Sequence, residues 1–373
     1  MVNNNLTVAG IVAEYNPFHN GHAHHITETK KRCDAVVAVM SGNFVQRCEP
    51  SVCDKYIRAK MAVMGGVDLV LGLPVRYAVG SAEKFAYGAL SVLDSLGFVD
   101  VLSFGSESAD IENIVKTAEK IDSITPEEYK AAMKDGSTFA EARARIIGGE
   151  HCEPNDILGI EYVRAIKKLG STIEPFAVKR TDGYLESATS LREKISNGDL
   201  SGLPEYSAEL LKKEIAEGRA PGNLKNIERI LLGFIRNADR SAFQNIYGIN
   251  EKEGVDGRIL SAVGAKSLDE LYSLIKTKRY TMATVRRAVL SAYLRLKNEP
   301  LSPVPFVHVL AFSETGRKLI KAIPENVTVI SNISKIKDIY PEFADEERRA
   351  TDLFSLSTPE IGAGFGEYTR KFQ

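Results

Sequence analysis

Residues 1–200 alternate between short apolar runs and longer amphipathic stretches. The runs are rich in Val, Ile and Leu with few polar interruptions, which is typical of parallel strands covered on both faces. They predict strands over 6–13, 35–40, 68–73, 99–104 and 172–178. Between them, apolar positions recur every three to four residues and predict helices over 22–32, 57–65, 83–96 and 111–121. This alternation predicts an α/β fold with an open parallel sheet and right-handed crossovers.

Helical periodicity dominates the rest of the chain. It predicts helices over 126–134, 138–147, 156–169, 208–217, 224–237, 268–276 and 284–297. Pro303 and Pro305 mark a turn, and a strand–helix–strand unit is predicted over 307–312, 316–322 and 327–331. We therefore expect an α/β domain over residues 1–200 and a mostly helical domain over 201–373 that ends in this unit.

The composition of the chain excludes several classes of protein. The 373 residues carry 48 Lys+Arg and 49 Asp+Glu, a net charge of −1, which excludes a protein that coats nucleic acid through overall positive charge. No apolar run reaches the ~18–20 residues of a membrane span, and Met1–Thr7 lacks the basic region of a signal peptide. The scattered cysteines contain no CxxC pair: Cys33, Cys48, Cys53 and Cys152. We expect a cytoplasmic protein without a disulfide framework or a structural metal site.

An HxGH element follows the first predicted strand. It consists of His19, Gly21 and His22, and it precedes a predicted helix. In this context Gly21 lets the backbone approach phosphates, and the helix offers its N-terminal amides and dipole. The two imidazoles can donate hydrogen bonds to an α-phosphate while pyrophosphate is displaced. The alternative is a polar turn with one histidine satisfied in the core.

A second signal lies near the end of the predicted sheet. A Ser/Thr-rich turn lies at the start of a predicted helix. It carries the hydroxyls of Ser187 and Thr189 and is followed by the cation of Arg192. Such groups can hold β- and γ-phosphates, although alone they also describe an ordinary helix cap. Together with the HxGH element they indicate a nucleoside triphosphate site.

The helical half contains a basic stretch. Between residues 271 and 298 there are seven cations and no acid, interleaved with Tyr272, Tyr280 and Tyr293. This pattern suits contacts to an RNA backbone and stacking on bases, and its alternative is a solvated helix face over core tyrosines. The cations that we expect to bind RNA are Lys276, Lys278, Arg279, Arg286 and Arg287.

Several strings in the chain resemble one family, the bacterial tRNA(Met) cytidine acetate ligases of the HxGH nucleotidylyltransferase superfamily. The resemblance is dense in the first two hundred residues and looser in the helical remainder. Cys48 stands where the family has glycine in a QRGEP segment. The matching strings are EYNPFHNGH at 14–22, MSGNF at 40–44, QR at 46–47, FGSE at 104–107, NDILGIEY at 155–162, KR at 179–180 and SAT at 187–189.

The resemblance implies an ATP-dependent ligase. Enzymes of this family activate acetate to acetyl-adenylate and acetylate N4 of the wobble cytidine of elongator tRNA(Met), with Mg²⁺ accompanying ATP. It implies catalytic roles for His19 and His22. The implied ATP contacts are Val12, Ala13, Glu14, Tyr15, Asn16, Pro17, Phe18, His19, Asn20, Gly21, His22, Ala23, His24, His25, Gly105, Asn155, Lys179 and Arg180.

Two other functions fit parts of the pattern. A nucleotidylyltransferase that joins a nucleoside monophosphate to a small phosphorylated metabolite shares every HxGH argument, but it has no need for the basic helical half. An RNA-binding protein with a vestigial nucleotide site is the non-enzymatic alternative. The retention of both His19 and His22 counts against it.

Overall fold

The strands predicted from apolar runs are all present in a computed structural model that describes residues 6–133, 139–147, 153–180, 188–278, 280–362 and 366–369. Their bounds are β1 Val8–Ala13, β2 Ala35–Ser41, β3 Leu69–Leu73, β4 Val101–Ser106, β5 Glu174–Lys179, β6 Val307–Phe312 and β7 Val329–Ile330. They form one sheet in the order β5-β4-β1-β2-β3-β6-β7. The predicted α/β class with a mostly parallel sheet is confirmed.

The order of the strands places a crevice beside β1. This strand pairs in parallel with β2 on one side and β4 on the other, so the winding of the chain reverses there. Ligands of open α/β sheets bind at the carboxyl ends of the strands at such a reversal. The HxGH element follows β1 directly and therefore lies at this crevice.

The last two strands extend the sheet of the first half. β6 pairs antiparallel with β3, and β7 pairs in parallel with β6. The sequence analysis grouped this unit with the helical domain, whereas in the structure its Val307 and Val309 join the apolar cluster under the main sheet. The division of the chain at residue 200 stays a prediction.

Helices cover both faces of the sheet and form the rest of the molecule. Their bounds are α1 Asn20–Thr29, α2 Lys55–Met64, α3 Val75–Ala78, α4 Ala82–Ser95, α5 Ile111–Asp122, α6 Pro126–Ala132, α7 Phe139–Ile147, α8 Pro154–Leu169, α9 Ala188–Ser196, α10 Glu205–Ala216, α11 Leu224–Asn237, α12 Val255–Ser261, α13 Leu268–Ile275, α14 Met282–Leu294, α15 Glu314–Ile320, α16 Pro341–Ser355 and α17 Gly366–Thr369. The α4, α5 and α8 helices bury one face of the sheet, and α1, α2 and α10 bury the other. Within the described residues, no helix has the length and hydropathy that crossing a membrane requires.

The helical half packs against the loop that follows β2. Helices α11 to α14 and α16 share one apolar cluster with Phe44 and Cys48 from that loop. Val75 and Val79 beside α3 belong to the same cluster. The Arg287 Nε atom donates to the carbonyl oxygen of Val79 at 2.9 Å. This packing brings α14 towards the carboxyl ends of β1 and β2.

A buried ion network ties the C-terminal helices to the sheet. The Lys55 ammonium lies 2.6 Å from a carboxylate oxygen of Glu367 and 3.2 Å from one of Glu347. All three side chains are buried, and Thr351 donates to the second oxygen of Glu367 at 2.8 Å. Because each charge has a partner inside the protein, the network is compatible with its burial.

Candidate active site

The turn after β1 is packed rigidly beneath the HxGH element. Tyr15 has a φ of 44°, in the left-handed region that side chains rarely adopt. Its ring meets the edge of Phe18 at a centroid distance of 5.0 Å and that of His22 at 4.9 Å. Tyr15 and Phe18 are both buried in the cluster under α1 and α2. These two residues of the predicted ATP segment therefore support the histidines from below.

His19 and His22 form a reciprocal cap at the start of α1. The Nδ1 atom of His19 accepts a hydrogen bond from the Gly21 amide at 3.1 Å, and that of His22 accepts one from the His19 amide at 3.2 Å. The two rings stack with centroids 3.7 Å apart. An Nδ1 atom that accepts carries no proton, so this network assigns the proton of each neutral imidazole to Nε2. The pair is thereby prepared to donate from both Nε2 atoms.

Burial favours the neutral forms of His22 and His25. Burial lowers the pKa of His22 well below its ordinary value, and His19, His25 and Arg180 add to the effect. Burial also lowers the pKa of His25 to about 4, and the Nε2 atom of His25 lies 2.9 Å from the Ser103 hydroxyl. At neutral pH, His22 is thus a neutral hydrogen-bond donor, and His25 is fixed to the sheet beneath α1.

The backbone amides of the first turn of α1 were expected to bind phosphate, and their hydrogen bonds differ from that expectation. The Asn20 amide donates to the carbonyl oxygen of Gly202 at 3.3 Å, and the His22 amide donates to that of His19 at 2.9 Å. The Gly21 amide is held by His19, as described above. Each of these three amides, which were expected to face phosphate, thus has an acceptor within the protein. Imidazole donors and the helix dipole remain for that task.

The far side of the crevice gathers three of the predicted contacts. Gly105 ends β4 next to the aliphatic part of Arg180, whose amide donates to the carbonyl oxygen of Ser106 at 2.9 Å. Asn155, in the first turn of α8, donates to Glu107 at 2.5 Å. After burial and the neighbouring histidines, the charge of Arg180 also contributes to the lowered pKa of His22. Lys179 ends β5 with its side chain exposed.

A second group of cations lies at the start of α9. Arg192 donates to the Thr189 hydroxyl at 3.2 Å and to the carbonyl oxygen of Asn16 at 3.3 Å. Arg47 donates to the same hydroxyl at 3.3 Å. A carboxylate oxygen of Glu49 lies 3.9 Å from Arg192. The structure thus joins the predicted phosphate residues Thr189 and Arg192 to the turn after β1, while Ser187 lies outside the described residues.

Glu14 holds the loop that carries Arg47. Its Oε1 atom accepts from the Gln46 amide at 2.8 Å, and burial raises the pKa of Glu14. The Glu14 side chain thus supports this loop, and its role as an ATP contact, which the resemblance implied, stays a prediction. Arg47 lies in the QR string and Glu49 lies two residues further on, both without a role assigned from the sequence, and only the folded loop places them beside Arg192.

Arg58 was missed by the sequence analysis. It is fully buried in α2 and donates to the backbone carbonyl oxygens of Glu14, Ser41, Gly42 and Cys53. These contacts join the segments that follow β1 and β2. A cation on the buried face of a predicted helix was the available signal, because such a charge requires partners inside the protein.

The backbone conformation of Cys48 explains why the family has glycine at this position of the QRGEP segment. Its φ is 61°, a left-handed conformation that glycine adopts without strain. Burial raises the pKa of its thiol to about 12, so the thiol stays protonated and unreactive at neutral pH.

The cations of the basic stretch differ in their exposure and in their partners within the protein. Lys276 and Lys278 are exposed, Arg286 is partly exposed, and Arg287 is used to bind the Val79 carbonyl oxygen. Arg286 also lies 3.4 Å from Glu49, and Arg279 lies outside the described residues.

The expected stacking of bases on Tyr272 and Tyr280 is wrong. Both tyrosines are buried in the core of the helical half, and Tyr293 packs edge-on against Phe234 at a centroid distance of 5.5 Å. Tyr272 and Tyr293 lie on the inner faces of α13 and α14, where apolar helical positions ordinarily pack, and Tyr280 lies in the turn between these helices.

Among the described residues, no group of three or more His, Cys, Asp or Glu side chains is arranged to hold a metal ion. The same crevice carries both histidines, the Arg180 group and the Arg192 group, so its chemistry is that of phosphate binding and neutral donors.

Comparisons with known proteins show the family to which the chain belongs. The family model described as HIGH Nucleotidyl Transferase matches residues 6–365. The chain is 37% identical to the tRNA(Met) cytidine acetate ligase of Caldanaerobacter subterraneus subsp. tengcongensis, over 94% of each chain. It is 35% identical to that of Clostridium perfringens, over 95% of this chain and 96% of the other.

A solved structure shares the whole fold. The crystal structure of Thermotoga maritima TmcAL bound with alpha-thio ATP superposes with a TM-score of 0.89 at 33% identity, covering 98% of both chains. The strand order, the HxGH cap and these relatives lead to one conclusion. The chain belongs to the tRNA(Met) cytidine acetate ligase family of HIGH nucleotidyl transferases.

Proposed function

We propose that this enzyme activates acetate with ATP to acetyl-adenylate and then acetylates N4 of the wobble cytidine of elongator tRNA(Met). The observation that carries the first step is the reciprocal His19–His22 cap, which assigns both imidazole protons to Nε2. Membership of the family supports the choice of acid and of tRNA. We expect the reaction in the cytoplasm, where ATP and tRNA are both present.

In the first step an acetate oxygen attacks the α-phosphorus of ATP, and the bond to pyrophosphate breaks in line. Charge on the phosphoryl oxygens is then stabilised by hydrogen bonds from His19 and His22. Arg47 and Arg192 lie on the Thr189 side and suit the leaving pyrophosphate. Mg²⁺ would arrive bound to the phosphates of ATP, as is usual for this ion.

The crevice offers separate places for the two ends of ATP. Gly105, Asn155 and Arg180 lie at the carboxyl ends of β4 and β5, on the side away from α9. Arg192 lies at α9 and touches the backbone of the turn after β1. We place the nucleoside at the first group and the terminal phosphates at the second, with the α-phosphate beside the histidines between them.

In the second step the exocyclic amine of cytosine attacks the acetyl carbon of the mixed anhydride. AMP leaves, and the amine loses one proton. A wobble base lies in a single-stranded loop, so it can leave the stack at modest cost.

We propose that the basic stretch brings such a base to the adenylate. Lys276 and Lys278 are exposed for phosphate contacts. Arg286 lies 3.4 Å from Glu49, which itself lies 3.9 Å from Arg192. An RNA bound along α14 would therefore meet the phosphate side of the crevice.

The choice of acid is tested by pyrophosphate release. Acetate, formate, butyrate, nicotinamide mononucleotide and pantetheine phosphate are each supplied alone with ATP and Mg²⁺. We expect release with acetate, weak release with formate, since a lost methyl group is worth ~1–3 kcal/mol, and none with butyrate. Release that depends on a phosphorylated metabolite and not on acetate would establish a nucleotidylyltransferase instead.

A further inference from the structure

Glu107 carries a buried carboxylate oxygen with no hydrogen-bond partner among the described residues. This atom is Oε2. The other oxygen, Oε1, accepts from the Asn155 amide nitrogen at 2.5 Å and lies 3.9 Å from the Arg180 Nε atom. Buried acceptors without a donor are rare and costly in folded proteins, and an ionised one most of all. A ligand that donates to Oε2 would remove this cost.

Glu107 lies where the nucleoside end of ATP is proposed to bind. It directly follows β4, two residues after Gly105, at the edge of the crevice beside β1. Asn155 and Arg180 hold Oε1 from α8 and from the end of β5, so the orientation of the carboxylate is set by two separate elements. An oriented acceptor discriminates between ligands that carry a donor and ligands that lack it.

The neighbouring acids already have partners. Asp156 accepts from the Ser106 hydroxyl with one oxygen and from the Ser108 amide at 3.3 Å with the other. Glu14 accepts from the Gln46 amide. Within the described part of the chain, Glu107 Oε2 is the buried carboxylate oxygen that no protein group satisfies.

The charge of Glu107 determines which part of a nucleotide fits. A carboxylate repels phosphate oxygens, and Arg47 and Arg192 gather at the other end of the crevice. Oε2 therefore fits a ligand group that donates a hydrogen bond and carries no negative charge. The nucleoside of ATP supplies two kinds, the ribose hydroxyls and the exocyclic amine of adenine, and either would form a charge-assisted hydrogen bond.

We propose that Glu107 is a nucleotide-specificity residue whose Oε2 atom accepts a hydrogen bond from the nucleoside of ATP. The inference rests on the proposed ATP-binding function and deepens it. Because this bond lies away from the reacting phosphorus, it strengthens ATP binding equally in the ground state and the transition state. It therefore acts on KM and leaves kcat unchanged.

The test is a double-mutant cycle, in which the Glu107 carboxylate and one donor of the nucleoside are removed singly and together. Dissociation constants are measured by calorimetry, without acetate or tRNA, for ATP, 2′-deoxy-ATP, 3′-deoxy-ATP and purine riboside triphosphate, which lacks the amine. The proteins are the wild type, Glu107→Gln and Glu112→Gln, a control at an exposed carboxylate of the next helix. Glu107→Gln preserves the shape of the side chain and its contact with Asn155.

We expect Glu107→Gln to weaken ATP binding about 10–100-fold, the range for a hydrogen bond to a charged group. The wild type should bind one of the three analogues more weakly than ATP by a similar factor, and Glu107→Gln should bind that analogue and ATP equally well. The analogue that behaves in this way identifies the donor. Glu112→Gln should match the wild type, and kcat for pyrophosphate release at saturating ATP should not change in Glu107→Gln.

Three results would overturn the assignment. One is an equal loss for ATP and all three analogues, which would make Glu107 a structural residue. Another is a loss of the same size in Glu112→Gln, and the third is a fall in kcat with unchanged affinity. The proposed function is judged separately, because acetate-dependent pyrophosphate release can fail while the affinity pattern holds, or hold while the pattern fails. A wild type that binds no ATP would overturn both.

Discussion

Replacing His19 by Asn separates the two roles that the structure gives this residue. The Nδ1 atom of His19 accepts from the Gly21 amide at 3.1 Å, which caps α1. Asn is among the best N-cap residues because its short side chain places an oxygen where it can accept from the first turn. It has no group at the position of Nε2, however. The variant should keep the cap and lose the transition-state donor.

The structure gives a magnitude for each role. The free energy of unfolding of His19→Asn should stay within about 1 kcal/mol of the wild type, because the cap is kept and the ring stacking on His22 is the contact that is lost. Its rate of acetate-dependent pyrophosphate release should fall ~10²–10³-fold, the usual loss for one such donor. His19→Ala should show the same fall in rate and also lose ~1 kcal/mol of stability with the cap.

Urea denaturation and an assay of pyrophosphate release test both magnitudes on the wild type, His19→Asn and His19→Ala. A wild-type rate in His19→Asn would remove His19 from the transition state. Equal stabilities of the Ala and Asn variants would show that the cap contributes nothing.

Three further predictions concern the rest of the molecule. Burial holds the pKa of His25 at about 4, below the ~6.5 of an unfolded histidine, so the unfolded state binds protons first and the free energy of unfolding should fall between pH 6.5 and 4. Urea titrations should show a shallower fall in His25→Gln, and an equal fall would contradict this. Lys55→Met leaves the carboxylates of Glu347 and Glu367 buried without their cation and should cost ~3–5 kcal/mol, whereas a loss below ~1 kcal/mol would show that the network does not need Lys55. Replacing Lys276 and Lys278 together by Ala should weaken tRNA binding, flatten its salt dependence by ~0.7–0.9 in slope for each lost contact, and spare tRNA-free pyrophosphate release. Lys116→Ala, at an exposed lysine of α5, is the control, and an unchanged salt dependence in the double variant would place the tRNA elsewhere.

The central strands could be predicted because they are buried on both faces. Parallel strands under two layers of helices carry near-continuous apolar runs, and β1 to β4 all have them. The antiparallel pairing of β6 with β3 was not predictable in the same way. Pairing joins segments more than two hundred residues apart, and an apolar run does not encode its neighbour.

Helix faces were harder to assign than helices. The sequence placed α13 and α14 closely, but it could not show that Tyr272 and Tyr280 are buried. The α16 helix was missed because its acids and arginines dilute the apolar pattern, although Ala350, Leu353 and Phe354 pack into the core.

The candidate site was predictable where residues follow strands directly. His19, Gly105 and Arg180 come just after β1, at the end of β4 and after β5, and parallel strands bring their carboxyl ends to one edge. The partners of Arg58 and Glu49 were not predictable, since they are backbone carbonyl oxygens and a distant arginine. Such partners exist only once the chain is folded.

Acetylation of tRNA tests the proposed function most directly. The protein is incubated with labelled acetate, ATP, Mg²⁺ and total tRNA, and the tRNA is digested to nucleosides. The proposed function predicts label in N4-acetylcytidine, with one AMP and one pyrophosphate formed for each acetyl group, and no label when ATP is omitted or when His19→Asn replaces the wild type. If the protein releases pyrophosphate with acetate but the cytidine of the digested tRNA carries no label, acetyl transfer to tRNA is contradicted. The proposed second step would then be wrong.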